Sequence, residues 1–194
     1  MPLPRSALPA VAVALVVALT GLGEVTAGAS TPSAKSLAKE LMTASYAKTA
    51  GFTAVAEKVS TSDKTKVTSC PDGAQVAMEN TSNQTGLLAE ILSCKTPKAA
   101  TALLTSVKAD GTKTGSPPAQ LGSSAIERGS TGPVYTIYWR QGDAFEFVSL
   151  ETNIPASSSA STTTTTAPAP PISATEQTIL SGAALNQFKQ SKAG

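Results

Sequence analysis

The chain has 194 residues, 15 Lys or Arg against 13 Asp or Glu, a net charge of +2 and no histidine. The missing histidine excludes the commonest general base, the Ser-His and Cys-His nucleophile schemes and the commonest transition-metal ligand. The basic residues are scattered, without a clustered face or interleaved aromatics, which excludes a nucleic-acid reader and a basic membrane-surface helix.

Met1–Ala29 opens with a lone Arg5, runs through the apolar stretch Ala7–Leu22 and closes on Ala27-Gly28-Ala29. A charged start, a hydrophobic middle and a small-x-small ending are the three parts of a secretory signal peptide. The apolar run is shorter than the ~20 residues a spanning helix needs, so an uncleaved anchor is the weaker reading. No Cys stands at the expected cleavage point and no twin-Arg pair precedes the apolar run. The mature chain is therefore expected to begin near Ser30 outside the cytoplasm, with no transmembrane span after cleavage. In such a compartment the only two cysteines, Cys70 and Cys94, are expected to form a disulfide. Closing that loop contributes ~3 kcal/mol on the chain-entropy argument.

Ser33–Ala50 reads as a first helix, with Leu37, Leu41 and Ala44 on one side and Gly51 as its stop. Phe52–Ser60 follows as a strand. Lys66–Cys70 and Ala74–Asn80 read as a hairpin around Pro71-Asp72-Gly73, whose residues suit a tight turn. Gly86–Lys95, with Leu87, Leu88, Ile91 and Leu92, is an apolar run of strand length. Thr96-Pro97 starts a second helix, the hydroxyl as cap and the proline in the first turn. Ala100, Leu103, Leu104 and Val107 form its apolar stripe. Lys113–Ser124 reads as a loop.

Val134–Arg140 and Ala144–Glu151 alternate as strands and are joined by Gln141-Gly142-Asp143, a hairpin. Pro155–Pro171 contains only Pro, Ala, Ser and Thr, with too little apolar surface to build a core, and is expected to act as a disordered linker. Ser173–Ser191 reads as a last helix. Ser173 and Glu176 have capping-box spacing, and Leu180, Ala184 and Phe188 share a side that is expected to dock on the domain.

The order α-β-β-β-β-α-β-β-α predicts an α+β fold, an antiparallel sheet with helices packed on one face. The expected organisation is a signal peptide at 1–29, an α+β domain at 30–154, a linker at 155–171 and a docking helix at 172–194. Three strings carry a likeness in layout: Ile91–Ala102, Gln120-Leu121-Gly122-Ser123-Ser124-Ala125 and Tyr138-Trp139-Arg140-Gln141-Gly142-Asp143. Together they resemble small exported α+β domains of high-GC Gram-positive bacteria, the extracellular sensor-type modules and envelope lipoproteins. That resemblance implies no catalytic residue.

Two sets of residues invite a catalytic reading. Ser36-Leu37-Ala38-Lys39, Ser45-Tyr46-Ala47-Lys48 and Lys113-Thr114-Gly115 match motifs of serine penicillin-recognising enzymes. The intervening Ser-x-Asn motif is missing and the chain is too short for that fold. The carboxylates Glu79, Glu90, Glu146 and Glu151 are expected to be solvated on strand surfaces rather than paired for acid–base work. Adjacent Tyr138 and Trp139 must point to opposite faces of their strand, one into the core and the other free to serve as a contact residue.

No catalytic residue, cofactor or metal site is expected. The function expected is a non-catalytic binding or interaction module at the cell surface or in the medium, its partner a small apolar ligand or a cell-envelope component. The alternative is a small secreted hydrolase with an unrecognised Ser or carboxylate site.

Overall fold

The structure is a computed structural model that describes residues 37–60, 68–80, 84–109, 112–129, 134–152 and 171–193. The expected signal peptide and all of the expected linker except Pro171 lie outside the described residues.

The alternating stretches build seven strands: β1 (Thr53–Ser60), β2 (Asp72–Asn80), β3 (Thr85–Ser93), β4 (Thr112–Lys113), β5 (Ile126–Gly129), β6 (Val134–Gln141) and β7 (Ala144–Glu151). They form one sheet in the order β1-β2-β3-β7-β6-β5-β4, with every described pair antiparallel. Among the described residues three α-helices accompany it: α1 (Ala44–Thr49), α2 (Pro97–Ala109) and α3 (Ala174–Ala193). The fold class is α+β.

Side-chain parity across the paired rungs assigns the two faces. Val76 and Met78 of β2, Leu87, Ala89 and Ile91 of β3, Val148 and Leu150 of β7, and Tyr135, Ile137 and Trp139 of β6 share one face. Leu180, Ala183 and Ala184 of α3 cover it together with Leu37, Leu41, Met42 and Phe52. Phe145 and Phe147 of β7, Tyr138 of β6, Leu92 of β3 and Ile126 of β5 belong to the opposite face. There they meet Ala100, Leu103, Leu104 and Val107 of α2 and the Cys70–Cys94 disulfide. The helices therefore take both faces of the sheet rather than the single face expected. The cause is in β7, whose Phe145 and Phe147 alternate with Val148 and Leu150 on the other side. A strand apolar on both faces needs cover on both.

Three other expectations are corrected. The first helix is broken into a 3-10 turn (Ala38–Glu40) and α1, with Leu41 extended at φ −69°, ψ 156° between them. Tertiary contacts replace the helical bonds at the break: Met42 N–H donates to Gln187 Oε1 (3.2 Å) and Thr43 N–H to Asn186 Oδ1 (3.2 Å). The described part of the expected strand Lys66–Cys70 is a turn, so among the described residues three strands precede α2 where four were expected. The expected loop 113–124 begins on β4, carries a 3-10 turn at Ala119–Leu121, and is followed by β5, a strand that was not expected.

The capping and turn chemistry follows the sequence. Thr96 Oγ1 accepts from Ala99 N–H (3.1 Å) at the start of α2. Ser173 N–H donates to Glu176 Oε2 (2.8 Å) and Glu176 N–H to Ser173 Oγ (3.3 Å), a reciprocal capping box on α3. Gly142, at φ +60°, takes the left-handed position in the β6–β7 turn.

α3 belongs to the core through Leu180 and Ala184 of the expected stripe, and less through Phe188. Leu180 is 0 % exposed, whereas Phe188 is only partly buried against the cluster. Leu180→Ala is expected to cost ~3 kcal/mol, in the range for fully buried leucines, and Phe188→Ala clearly less. Thermal melts of the two variants check the ranking.

Candidate functional site

Two glutamates are buried on the face covered by α3. β5 pairs with β6 so that Glu127 lies opposite Ile137, and β7 lies between β3 and β6 so that Glu146 faces Ile91 on one side and Trp139 on the other. Both therefore share the parity of core positions and are taken out of water with them: Glu127 is 1 % exposed and Glu146 0 %. Burying a carboxyl is costly unless hydrogen bonds replace its hydration.

Glu127 has those bonds. Thr114 Oγ1 donates to its Oε1 at 3.2 Å and Gln177 Nε2 to its Oε2 at 2.8 Å, tying the loop after β4, β5 and α3 together. Gly115 allows this approach, since a Cβ there would run into the Glu127 carboxyl group. Gly115→Ala is expected to displace that carboxyl and destabilise the protein by ~2 kcal/mol, as overpacked buried sites do. A denaturant titration of the variant checks it.

Glu146 lacks them. Neither oxygen has a partner in hydrogen-bonding geometry. Burial is the chief cause that pushes its proton affinity up. Ser191, the Glu40 carboxyl, Gln187 and Trp139 act on it as well: Glu40 in the same direction, the three donor side chains in the opposite one. Those donors stand around the carboxyl without reaching bonding geometry, so their pull is weak against the loss of solvent. The result is a carboxyl pushed up to about 8, carrying its proton at neutral pH.

The surroundings share this lack of partners. Trp139 Nε1 and Ser93 Oγ are also buried without a hydrogen bond. Ser93 lies opposite Ala144 on the same face as Glu146, two rungs further along. Four of the five such atoms among the described residues, both Glu146 oxygens included, thus fall on adjacent strands β3, β7 and β6.

α3 closes this end of the sheet. Gln187, fully buried, accepts from Met42 N–H and donates through Nε2 to the Glu90 carbonyl at 3.1 Å. Ser191 Oγ donates to Gln141 Oε1 at 3.4 Å and lies in the last turn of the helix. Glu40, on the 3-10 turn, is itself raised by burial and then by the charge of Asp143. Chemically, the arrangement holds a neutral acid under a lid made of α3 and the segment before α1.

The residues singled out from the sequence are distributed as follows. Trp139 is 0 % exposed and belongs to the core beneath α3. Tyr138 is half-buried on the other face, with ring centroids 6.0 Å from Phe145 and 5.7 Å from Phe147. Cys70 and Cys94 are bonded.

Ser45 and Lys48 lie on α1, which packs against β1 at one sheet edge, while Lys113-Thr114-Gly115 starts on β4 at the other. Six inter-strand steps of about 4.8 Å separate the two edges, so these strings do not make one site. Ser36 lies outside the described residues. Glu79, Glu90 and Glu151 are half-buried on their strands, and burial raises Glu151.

Glu146 is the functional candidate that the sequence reading assigned to solvent. Its signal was present: position 146 shares parity with Val148 and Leu150, two core residues of the same strand. No group of three or more Cys, Asp or Glu residues is placed to hold a metal among the described residues, and none of the described helices is long and apolar enough to cross a membrane. Comparison with protein-family models, curated proteins and solved structures finds no match for this chain.

Proposed function

We propose that this chain is an exported, non-catalytic binding module that acts at the cell surface or in the medium. The observation that carries this reading is the closure over Glu146. Among the described residues, the carboxyl pushed up to about 8 is fully buried beneath Gln187 and α3 rather than open to a substrate. The Cys70–Cys94 disulfide supports an oxidising compartment, in keeping with the signal-like composition of Met1–Ala29. Tyr138, half-buried beside Phe147 at the margin of the α2-covered face, is the contact residue of this reading, with a small apolar ligand or a cell-envelope component as partner.

The test is retention of material from cell-envelope extract by the purified protein, identified by mass spectrometry, for the parent and for Tyr138→Ala. The reading expects a defined ligand class on the parent and its loss from the variant at unchanged circular dichroism. Equal retention by both removes Tyr138 from the role.

A second reading, a small secreted hydrolase, is favoured by one observation: Glu146 carries a proton at neutral pH, as a general acid must. It requires α3 to move. Turnover of ester or glycoside substrates that disappears in Glu146→Gln would establish it over the binding module.

A further inference from the structure

We propose that α3 is a pH-weakened clasp on the sheet, with Glu146 the group whose ionisation loosens it. The inference is independent of the binding reading. Its basis is the placement of an unpartnered, fully buried carboxyl at the seam between the sheet and the one helix joined to β7 by a long connecting sequence. Among the described residues a charge at this place meets no cation. β3 offers Ile91 and β6 offers Trp139. The 3-10 turn before α1 offers Glu40, and the β6–β7 turn offers Asp143, whose charge acts on Glu40. From α3 come Gln187 and Ser191, whereas its Lys189 and Lys192 are exposed to solvent. Ser191 belongs to the last turn of α3, so the partial negative charge of the helix end adds to that of the carboxyls.

The strands around Glu146 are paired on both sides and cannot yield locally, because β7 bonds to β3 and to β6 along its length. α3 is held by fewer polar contacts: Gln187 to Met42 and Glu90, Asn186 to Thr43, the Tyr46 hydroxyl to the Ile179 carbonyl, Gln177 to Glu127, and Ser191 to Gln141. The sequence between Glu151 and Ala174 is long enough for the helix to leave without unpairing a strand. The weaker attachment therefore gives first, and the Glu146 carboxylate gains water when it does. Loosening also bares Leu180, Ala183 and Ala184 together with Ile137, Val148 and Trp139 beneath them.

The direction follows from linkage. A group that binds its proton more tightly when the helix is docked favours docking in acid. That advantage is lost as pH rises from the ordinary carboxylate range to the docked value, and changes no further above it. Hydrogen exchange of the full chain, corrected for intrinsic rates, reads this directly. Protection of the amides of residues 180–190 is expected to fall about tenfold per pH unit between pH 5 and pH 8, while the β2–β3 amides stay protected. Glu146→Gln and Glu146→Leu, neutral at every pH, should flatten this fall to the smaller part that Glu40 contributes. Acrylamide quenching of Trp139, the single tryptophan, should rise with pH in the parent alone. Constant α3 protection in the parent overturns the proposal. So does a decline in both variants as steep as the parent's, or a simultaneous loss of protection in β2–β3, which would mean global unfolding rather than release of the helix.

Discussion

Glu146→Gln is expected to stabilise the protein by ~3 kcal/mol at pH 7 relative to its effect at pH 4. The folded state holds the Glu146 carboxyl at about 8, above its ordinary value of 4.5, with burial as the main cause. A raised acid contributes its full share of stability below 4.5 and loses it progressively as pH rises towards 8. At pH 7 the parent therefore bears most of the cost of keeping that proton, at about 1.4 kcal/mol per unit of displacement. Glutamine matches the shape, carries no charge and bears no such cost. Glu40 and Glu151 are raised in the same direction, so the variant should flatten the stability–pH profile without making it level. Denaturant titrations of parent and variant across pH 4–9 provide the check. An equal pH slope in both would remove Glu146 from the account.

The opposite sign is expected for Gln187→Ala, at a cost of ~4 kcal/mol. Gln187 bonds two buried backbone groups on separate parts of the chain, the Met42 N–H and the Glu90 carbonyl, and is itself wholly buried. Truncation removes the acceptor of the buried Met42 N–H, at about 1–3 kcal/mol, takes one bond from the Glu90 carbonyl and opens a cavity beside Glu146. Gln187→Met keeps the volume but loses the bonds, and should fall between the variant and the parent. For a domain of this size the loss lowers the melting temperature by roughly 10 °C. A melt of Gln187→Ala within a degree of the parent would show that α3 is not clasped through this residue.

Those two residues also mark where the sequence is readable. The β6–β7 hairpin, the α2 stripe and the α3 capping box follow from local rules, namely period-2 alternation, the 3.6 period and reciprocal capping, and these operate within a few residues. The disulfide follows from cysteine arithmetic and the compartment that the sequence led one to expect. What is not local is not legible in this way. β5 escaped because Ile126–Gly129 has a glutamate at its buried position, and that glutamate is tolerated only because Thr114 and Gln177 arrive from distant segments.

The break before α1 likewise depends on Gln187 and Asn186, more than a hundred residues away. The two-sided cover of the sheet was in principle readable from β7, where Phe145 and Phe147 oppose Val148 and Leu150. Its polar members Glu146, Ser149 and Glu151 made the strand look half-exposed. Glu146 itself was legible by parity and was set aside by composition, because a carboxylate is normally left in water.

The account turns on Glu146 being a buried acid that carries its proton at neutral pH. Titrating the side-chain carboxyl carbons by NMR in the intact protein, with Glu146→Gln to assign the resonance, measures that property without reference to stability or exchange. The expected result is a Glu146 midpoint near 8, well above its ordinary value of 4.5. A midpoint in the ordinary range near 4.5 would contradict it, and with it the pH dependence of α3.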